Sequence, residues 1–255
     1  MTDLTKPDPA ALDRKLRLLT PARIALARTG NSITTRDTLA FARDHAQARD
    51  AVHATLSLPT LLRDLHSRDL PAIAVKSAAP DRATYLKRPD LGRTLSEASR
   101  AALHSALTAD AQLRLTIILA DGLSAVATDR HALAIVDAML PMIRETWQLT
   151  PIVVAEQARV ALGDEIGLAL GATLTVTLIG ERPGLSAADS LGAYITWNPR
   201  PGRTNAERNC ISNIRAEGLS PGDGAQRIAY FLREALRLEA TGTSLKDPEG
   251  TLMLG

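Results

Sequence analysis

Between residues 113 and 181 one pattern recurs: an apolar run of strand length, a polar break, then a segment with helical character. LRLTIILADG (113–122) precedes a helix-length stretch over 123–147, and PIVVAEQA (151–158) precedes ALGDEIGLALG (161–171), which a glycine closes. TLTVTLIGE (173–181) is the third run, GAYITWN (192–198) reads as a fourth and CISNI (210–214) as a fifth. These runs are mostly apolar, and Leu174 to Ile179 alternate branched apolar side chains with threonine, which suits pleated, mostly covered strands. Strands of that kind alternating with helices predict an α/β chain built on a parallel sheet. The last helix is AQRIAYFLREALRLEA (225–240), with Ile228, Leu232 and Leu236 at helical spacing.

Ahead of residue 110 the reading is helical: Leu12 to Thr20, Thr35 to Leu56, Leu58 to His66 and Leu95 to Leu107. Thr34-Thr35-Arg36-Asp37 has an acceptor side chain followed by an acid in the first turn, a helix-start signal. Leu39, Ala42, Ala46 and Ala48 form a stripe of small residues suited to close helix contact. KSAAPDRATYLKRPDLGR (76–93), rich in cations and broken by two prolines, reads as a solvated connecting segment, with a docking surface as the alternative. The expected division is an N-terminal helical region over 1–110, docking to a partner, and an α/β domain over 111–255.

Composition narrows function by exclusion. Cationic residues exceed acids by only two and aromatics are 3% of the chain, so neither a nucleic-acid footprint nor a base-stacking platform is expected. The single cysteine, Cys210, rules out an internal disulfide framework and a cysteine-built zinc site. No signal pattern opens the chain and no apolar run reaches spanning length, so a cytoplasmic protein without membrane contact is expected.

Ligands of open parallel sheets bind outside the carboxyl ends of the strands. Taking each strand end in turn places Asp121, Glu156, Gln157, Glu181, Arg182, Asn209 and Asn213 along one rim. Such a rim offers both donors and acceptors, which suits a large amide-bearing ligand better than a small anion held in backbone nests. Chemical motifs are otherwise absent. Gly122 stands alone where a dinucleotide fingerprint needs several glycines, and GLSAV (122–126) matches only the first half of a nucleophile elbow. DRHALA (129–134) has the Asp-x-His of a cobalt-ligating box, but alanine replaces the glycine and the segment falls inside a helix, so His131 reads as a helix-surface residue. No catalytic and no metal-ligating residue is assigned to this chain.

VVAEQARVALGDEIG, LIGERPGLSAADSLGAYITWNPRPGRT and AERNCISNIRAEGLS together resemble the small subunit of ethanolamine ammonia-lyase. ARDHAQARDAVH, SAAPDRATYLKRPDLGR and ADGLSA extend the resemblance over roughly residues 30 to 250. It implies an adenosylcobalamin-dependent lyase that converts ethanolamine to acetaldehyde and ammonia by radical chemistry. The large subunit would carry the substrate site. The small subunit would be a Rossmann-like, mostly parallel sheet with an N-terminal helical region, and the corrinoid would lie between the two chains. The family's cobalamin contacts fall here on Val160, Glu181 and Cys210. Each has a plainer alternative: a core valine at a helix start, a turn carboxylate paired to Arg182, and a small buried hydrophobe. Some longer family members are packaged in a bacterial microcompartment through an N-terminal extension. The short segment before the matching region here argues against that route.

Overall fold

The computed structural model describes residues 9–20, 23, 24, 26, 28–106 and 113–246. The chain begins with α1 (Pro9–Leu19), a short antiparallel ribbon of β1 (Arg28–Thr29) and β2 (Ser32–Ile33), then α2 (Thr35–His53) and α3 (Leu58–His66). β3 (Ala72–Lys76), α4 (Arg82–Lys87) and α5 (Glu97–Ser105) follow. The remainder alternates as expected: β4 (Arg114–Ala120), α6 (Ala125–Ile143), the two-residue β5 (Gln148–Leu149), β6 (Ile152–Glu156), α7 (Leu162–Ala169) and β7 (Leu174–Gly180). β8 (Leu191–Trp197), β9 (Arg208–Ile214) and α8 (Pro221–Leu238) complete it. Leu107, expected to end the helix from Leu95, lies outside the described residues.

The protein is an α/β molecule with a seven-stranded mixed sheet in the order β3-β6-β4-β7-β8-β9, and β5 beside β4. β3, β6, β4 and β7 are mutually parallel, whereas β8 and β9 each pair antiparallel with the preceding strand. The Rossmann-like expectation therefore fits broadly, with one edge of the sheet built differently. Every residue of β4 and β7 is buried, the pattern that two-sided coverage requires. Leu115, Ile117 and Leu119 face α3, α6 and α8, in a core with Leu65, Ile135, Met139, Ile228 and Leu232. Ile118 and Ala120 point the other way, onto Leu103 of α5 and Leu162 and Ile166 of α7.

Several local expectations meet their geometry here. The Thr34 side chain accepts a hydrogen bond from Asp37 N and caps α2 (3.3 Å). Gly171 ends the α7 segment with φ +62°. Others are corrected. A wholly helical segment before residue 110 overlooks β3, which pairs in register with β6 from Ala72↔Ile152 to Lys76↔Glu156. The stripe on α2 is divided: Leu39 and Ala42 are exposed, Ala46 and Ala48 are half-buried, and Ala51 is the buried residue of that helix. The 76–93 stretch is no solvated connector, because α4 within it buries Tyr85 completely.

Candidate binding site

β4 and β6 lie side by side, yet α6 leaves β4 onto one face of the sheet and α7 leaves β6 onto the other. Their carboxyl ends thus form the switch-point crevice where ligands of such sheets bind. Here the crevice is already filled from within. Gln157 takes a left-handed conformation (φ 53°), which aims two successive amides at Asp121. Gln157 N and Ala158 N donate to the Asp121 carboxylate at 2.8 and 2.9 Å, making a backbone nest occupied by the protein's own anion. Arg82 closes it from above, with Nη1 3.3 Å from Asp121 and 2.8 Å from the Gly122 carbonyl oxygen, while Nε donates to Val52 O at 2.8 Å. Burial pushes the Asp121 carboxyl up to about 6, and the nest and Arg82 oppose that rise.

The open cavity lies one step along, over β7 and the start of α7. Its volume is about 320 Å³, and its walls include Tyr85, Leu123, Arg159, Val160, Ile179, Glu181 and Tyr194. Two glycines make the floor possible. A Cβ on Gly122, itself at φ +54°, would stand 2.2 Å from the Gly180 carbonyl oxygen, and one on Gly180 would stand 2.0 Å from that of Ser124. The ends of β4 and β7 therefore touch backbone to backbone, with Leu123 N donating to Gly180 O at 2.9 Å.

Val160 and Glu181 line this one cavity. Glu181 is not paired to Arg182, which is exposed. Instead its carboxylate folds over the sheet and accepts from Ser190 Oγ and Ser212 Oγ at 2.5 Å each and from Asn213 N at 3.2 Å. Gly192 leaves it room, since a Cβ there would sit 3.0 Å from Glu181 Oε1. Cys210 is not one of the lining residues; it stands directly across from Tyr194, which is, in the β8–β9 register. It is exposed rather than a buried hydrophobe. The reason is architectural: α7 reaches β9 only at its lower end, where Asp164 holds Arg208 through two 2.6 Å hydrogen bonds. Beyond that ion pair, Cys210 and Ser212 are exposed. Partial burial raises the Cys210 thiol, as does the nearby Glu181 charge, so it meets a ligand as a neutral thiol.

The expected single rim is corrected in one place. Asn209 lies towards the opposite end of the sheet, paired with Ile195, because β8 reverses the chain direction. Its side chain there accepts from Gly242 N at 2.7 Å and donates to Leu245 O at 2.9 Å, fastening the segment that follows α8. His131 is not solvent-facing, since its side chain is 12% exposed and its Nε2 lies 3.4 Å from Asp189. Asp129 beside it accepts from Ser57 N and Oγ and anchors the start of α3. Among the described residues no group of three or more His, Cys, Asp or Glu could hold a metal ion, and no helix is long and apolar enough to cross a membrane. Tyr85 and Arg159 are site residues that strand-end reasoning passed over.

Fold and site together define a class: an α/β subunit with a shallow, polar-rimmed cavity at the carboxyl ends of its strands, too small to enclose a large ligand by itself. Residues 11–246 match the family described as ethanolamine ammonia-lyase light chain. A relative from Bradyrhizobium diazoefficiens named ethanolamine ammonia-lyase small subunit is 53% identical over 249 residues, covering 97% of this chain and 94% of its own. Proteins of the same name from Pseudomonas paraeruginosa (51% over 251 residues, 97% and 92%) and Pseudomonas fluorescens Pf0-1 (52% over 235 residues, 91% and 86%) are similar to it as well. The chain belongs to the ethanolamine ammonia-lyase small-subunit family.

Proposed function

We propose that this chain is the non-catalytic subunit of an adenosylcobalamin-dependent carbon–nitrogen lyase, and that it covers one edge of the corrinoid against the large subunit. The observation that carries the reading is that Val160 and Glu181, from α7's entry and the end of β7, line one cavity, with Cys210 of β9 the register partner of Tyr194 in its wall. The donor set suits an apolar macrocycle fringed with amides. Val160, Leu123 and Ile179 offer apolar contact, and the free lone-pair capacity of Glu181 accepts amide N–H groups. Buried Gln157 Oε1 and Arg159 Nε have no hydrogen-bond partner among the described residues, a state a polar ligand or the second chain relieves. A corrinoid with its side chains far exceeds about 320 Å³, so the large subunit supplies the remaining walls.

When bound, the cofactor supplies the radical that starts conversion of ethanolamine to acetaldehyde and ammonia. This chain's residues bind and orient it and exclude water from its edge; substrate is read by the large subunit. Residues 1–110 are proposed to dock that subunit and 111–255 to form the cofactor domain, to which the first part lends β3 and Tyr85 of α4. Exposed Leu12, Leu39 and Phe41 on α1 and α2 support the docking role. The near-neutral charge balance favours no nucleic-acid partner, and a cytoplasmic setting fits a sequence with a single cysteine; microcompartment packaging is not proposed.

Titration of the reconstituted two-chain enzyme with adenosylcobalamin, followed by its absorbance, tests this reading. Glu181→Gln keeps the shape but replaces a charged acceptor. Hydrogen bonds to charged groups contribute about 1.5–3 kcal/mol against about 1 for neutral ones, so affinity should fall on the order of tenfold. Glu181→Ala should lose more, and the ethanolamine KM at saturating cofactor should hardly move. Wild-type affinity in both variants would return Glu181 to holding Ser190 and Ser212 in place.

A further inference from the structure

We infer that Arg159 is a ligand-binding residue of this cavity, held flat and ready by Tyr85, and that it donates to an oxygen acceptor on the cofactor's polar fringe. The inference rests on the proposed cofactor site and assigns it a further residue. Arg159 lines the cavity between Tyr85 and Val160. Its guanidinium carbon stands 4.4 Å from the Tyr85 ring centroid, and its side chain makes no hydrogen bond to any other described residue. Nε is buried and has no hydrogen-bond partner among the described residues. An arginine left with unmet donors beside a cavity is incomplete until an acceptor arrives, since an unsatisfied buried donor is costly.

The surroundings hold it there. Arg159 N donates to Gly92 O at 2.8 Å, and a Cβ on Gly92 would stand 2.9 Å from Arg159 Cγ and 2.8 Å from the Tyr85 ring, so glycine leaves space for the stack. Tyr85 is fully buried, its hydroxyl donates to Ala158 O at 2.8 Å, and Arg82 stacks on it at 4.9 Å. Arg82 is fixed in turn by Asp121, Gly122 and Val52. The ring is therefore a rigid platform, and stacking fixes the guanidinium plane without using its donors. Arg159 is the binding residue; Tyr85 is a positioning residue that acts through it.

The acceptor is a carbonyl oxygen of a corrin side-chain amide or the phosphodiester of the nucleotide loop, both of which an arginine fork can engage. The experiment is absorbance titration of the assembled two-chain enzyme with adenosylcobalamin and with adenosylcobinamide, which keeps the amides and lacks the phosphodiester. Arg159→Met should weaken adenosylcobalamin binding about tenfold or more, and Arg159→Lys should recover part of it. Tyr85→Leu should weaken binding in the same direction, whereas Tyr85→Phe, which keeps the ring, should stay near wild type. Equal losses for both ligands place the acceptor on an amide; a loss confined to adenosylcobalamin places it on the phosphodiester. Unfolding midpoints and subunit assembly, measured alongside, should stay at wild type for Arg159→Lys, which carries the test should Arg159→Met fail to assemble. Wild-type affinity in the assembled Arg159 variants overturns the inference. If those variants bind normally while Glu181→Ala does not, the cofactor site stands and only the role of Arg159 falls; if Glu181→Ala also binds normally, the site assignment fails with it.

Discussion

Asp121 shows how one side chain sets what a crevice can hold. Sitting in the nest of Gln157 N and Ala158 N, it occupies the position a small anion would take, so the open binding surface shifts toward β7. Its carboxyl is raised from 3.8 to about 6, meaning the native state holds the proton more tightly than the unfolded chain. Between those values the native state carries more protons, so the stability this group contributes is greatest below about 4 and declines as pH rises through about 6. The full span corresponds to about 3 kcal/mol. Asp121→Asn should remove that component, so wild type loses stability relative to the variant as pH rises from 4 to 7. Urea unfolding across that range checks it, and parallel curves would show that Asp121 is not the titrating group. Glu181 was legible in the sequence because an acid directly after a buried apolar run marks a strand mouth. Tyr85 was not, because it lies in a short stretch between Pro80 and Pro89 with charged residues at both ends, and nothing local reveals that α4 folds back over the sheet.

At the scale of elements, the parallel trio β4, β6 and β7 follows from its own strands: mostly apolar runs of five to seven residues separated by helices admit few other arrangements. The reversal at β8 is different, because an antiparallel strand covered on both faces has the same residue pattern as a parallel one. That ambiguity is what misplaced Asn209. β3 escaped notice because Ala72–Lys76 is short and its register is set by β6 rather than by its own sequence. Two contacts hold the site elements together. Gly122→Ala would press a Cβ into the Gly180 carbonyl in a left-handed conformation, so a loss of at least about 2 kcal/mol is expected in urea unfolding; a smaller loss would mean that the β4 and β7 ends can separate cheaply. The Arg208–Asp164 pair is 3% and 2% exposed, and burial raises the Asp164 carboxyl against the opposing hydrogen bonds of Arg208. Arg208→Met should cost about 3–5 kcal/mol by stranding Asp164, while the double change Arg208→Met with Asp164→Leu should recover most of it. A single variant as stable as wild type would show that water or backbone already satisfies Asp164.

Taken as a whole molecule, the chain is a covered sheet with two surfaces it does not complete: the exposed apolar residues of α1 and α2, among them Leu12, Leu39 and Phe41, and the edge running from Arg159 over Tyr194 to Cys210. Both fit a subunit whose site closes only on assembly. Because Cys210 is the single cysteine of the sequence, it reports on that edge directly. The decisive measurement is its alkylation rate, followed by mass spectrometry of the peptide that contains it, in the isolated chain, in the two-chain complex, and in the complex loaded with adenosylcobalamin. The thiol is held neutral, so the comparison is made at alkaline pH, where the thiolate forms. The account predicts ready labelling in the isolated chain and strong protection in the loaded complex, with a clear further slowing when cofactor is added to the assembled subunits. Equal labelling rates with and without cofactor would contradict the placement of cobalamin on this edge.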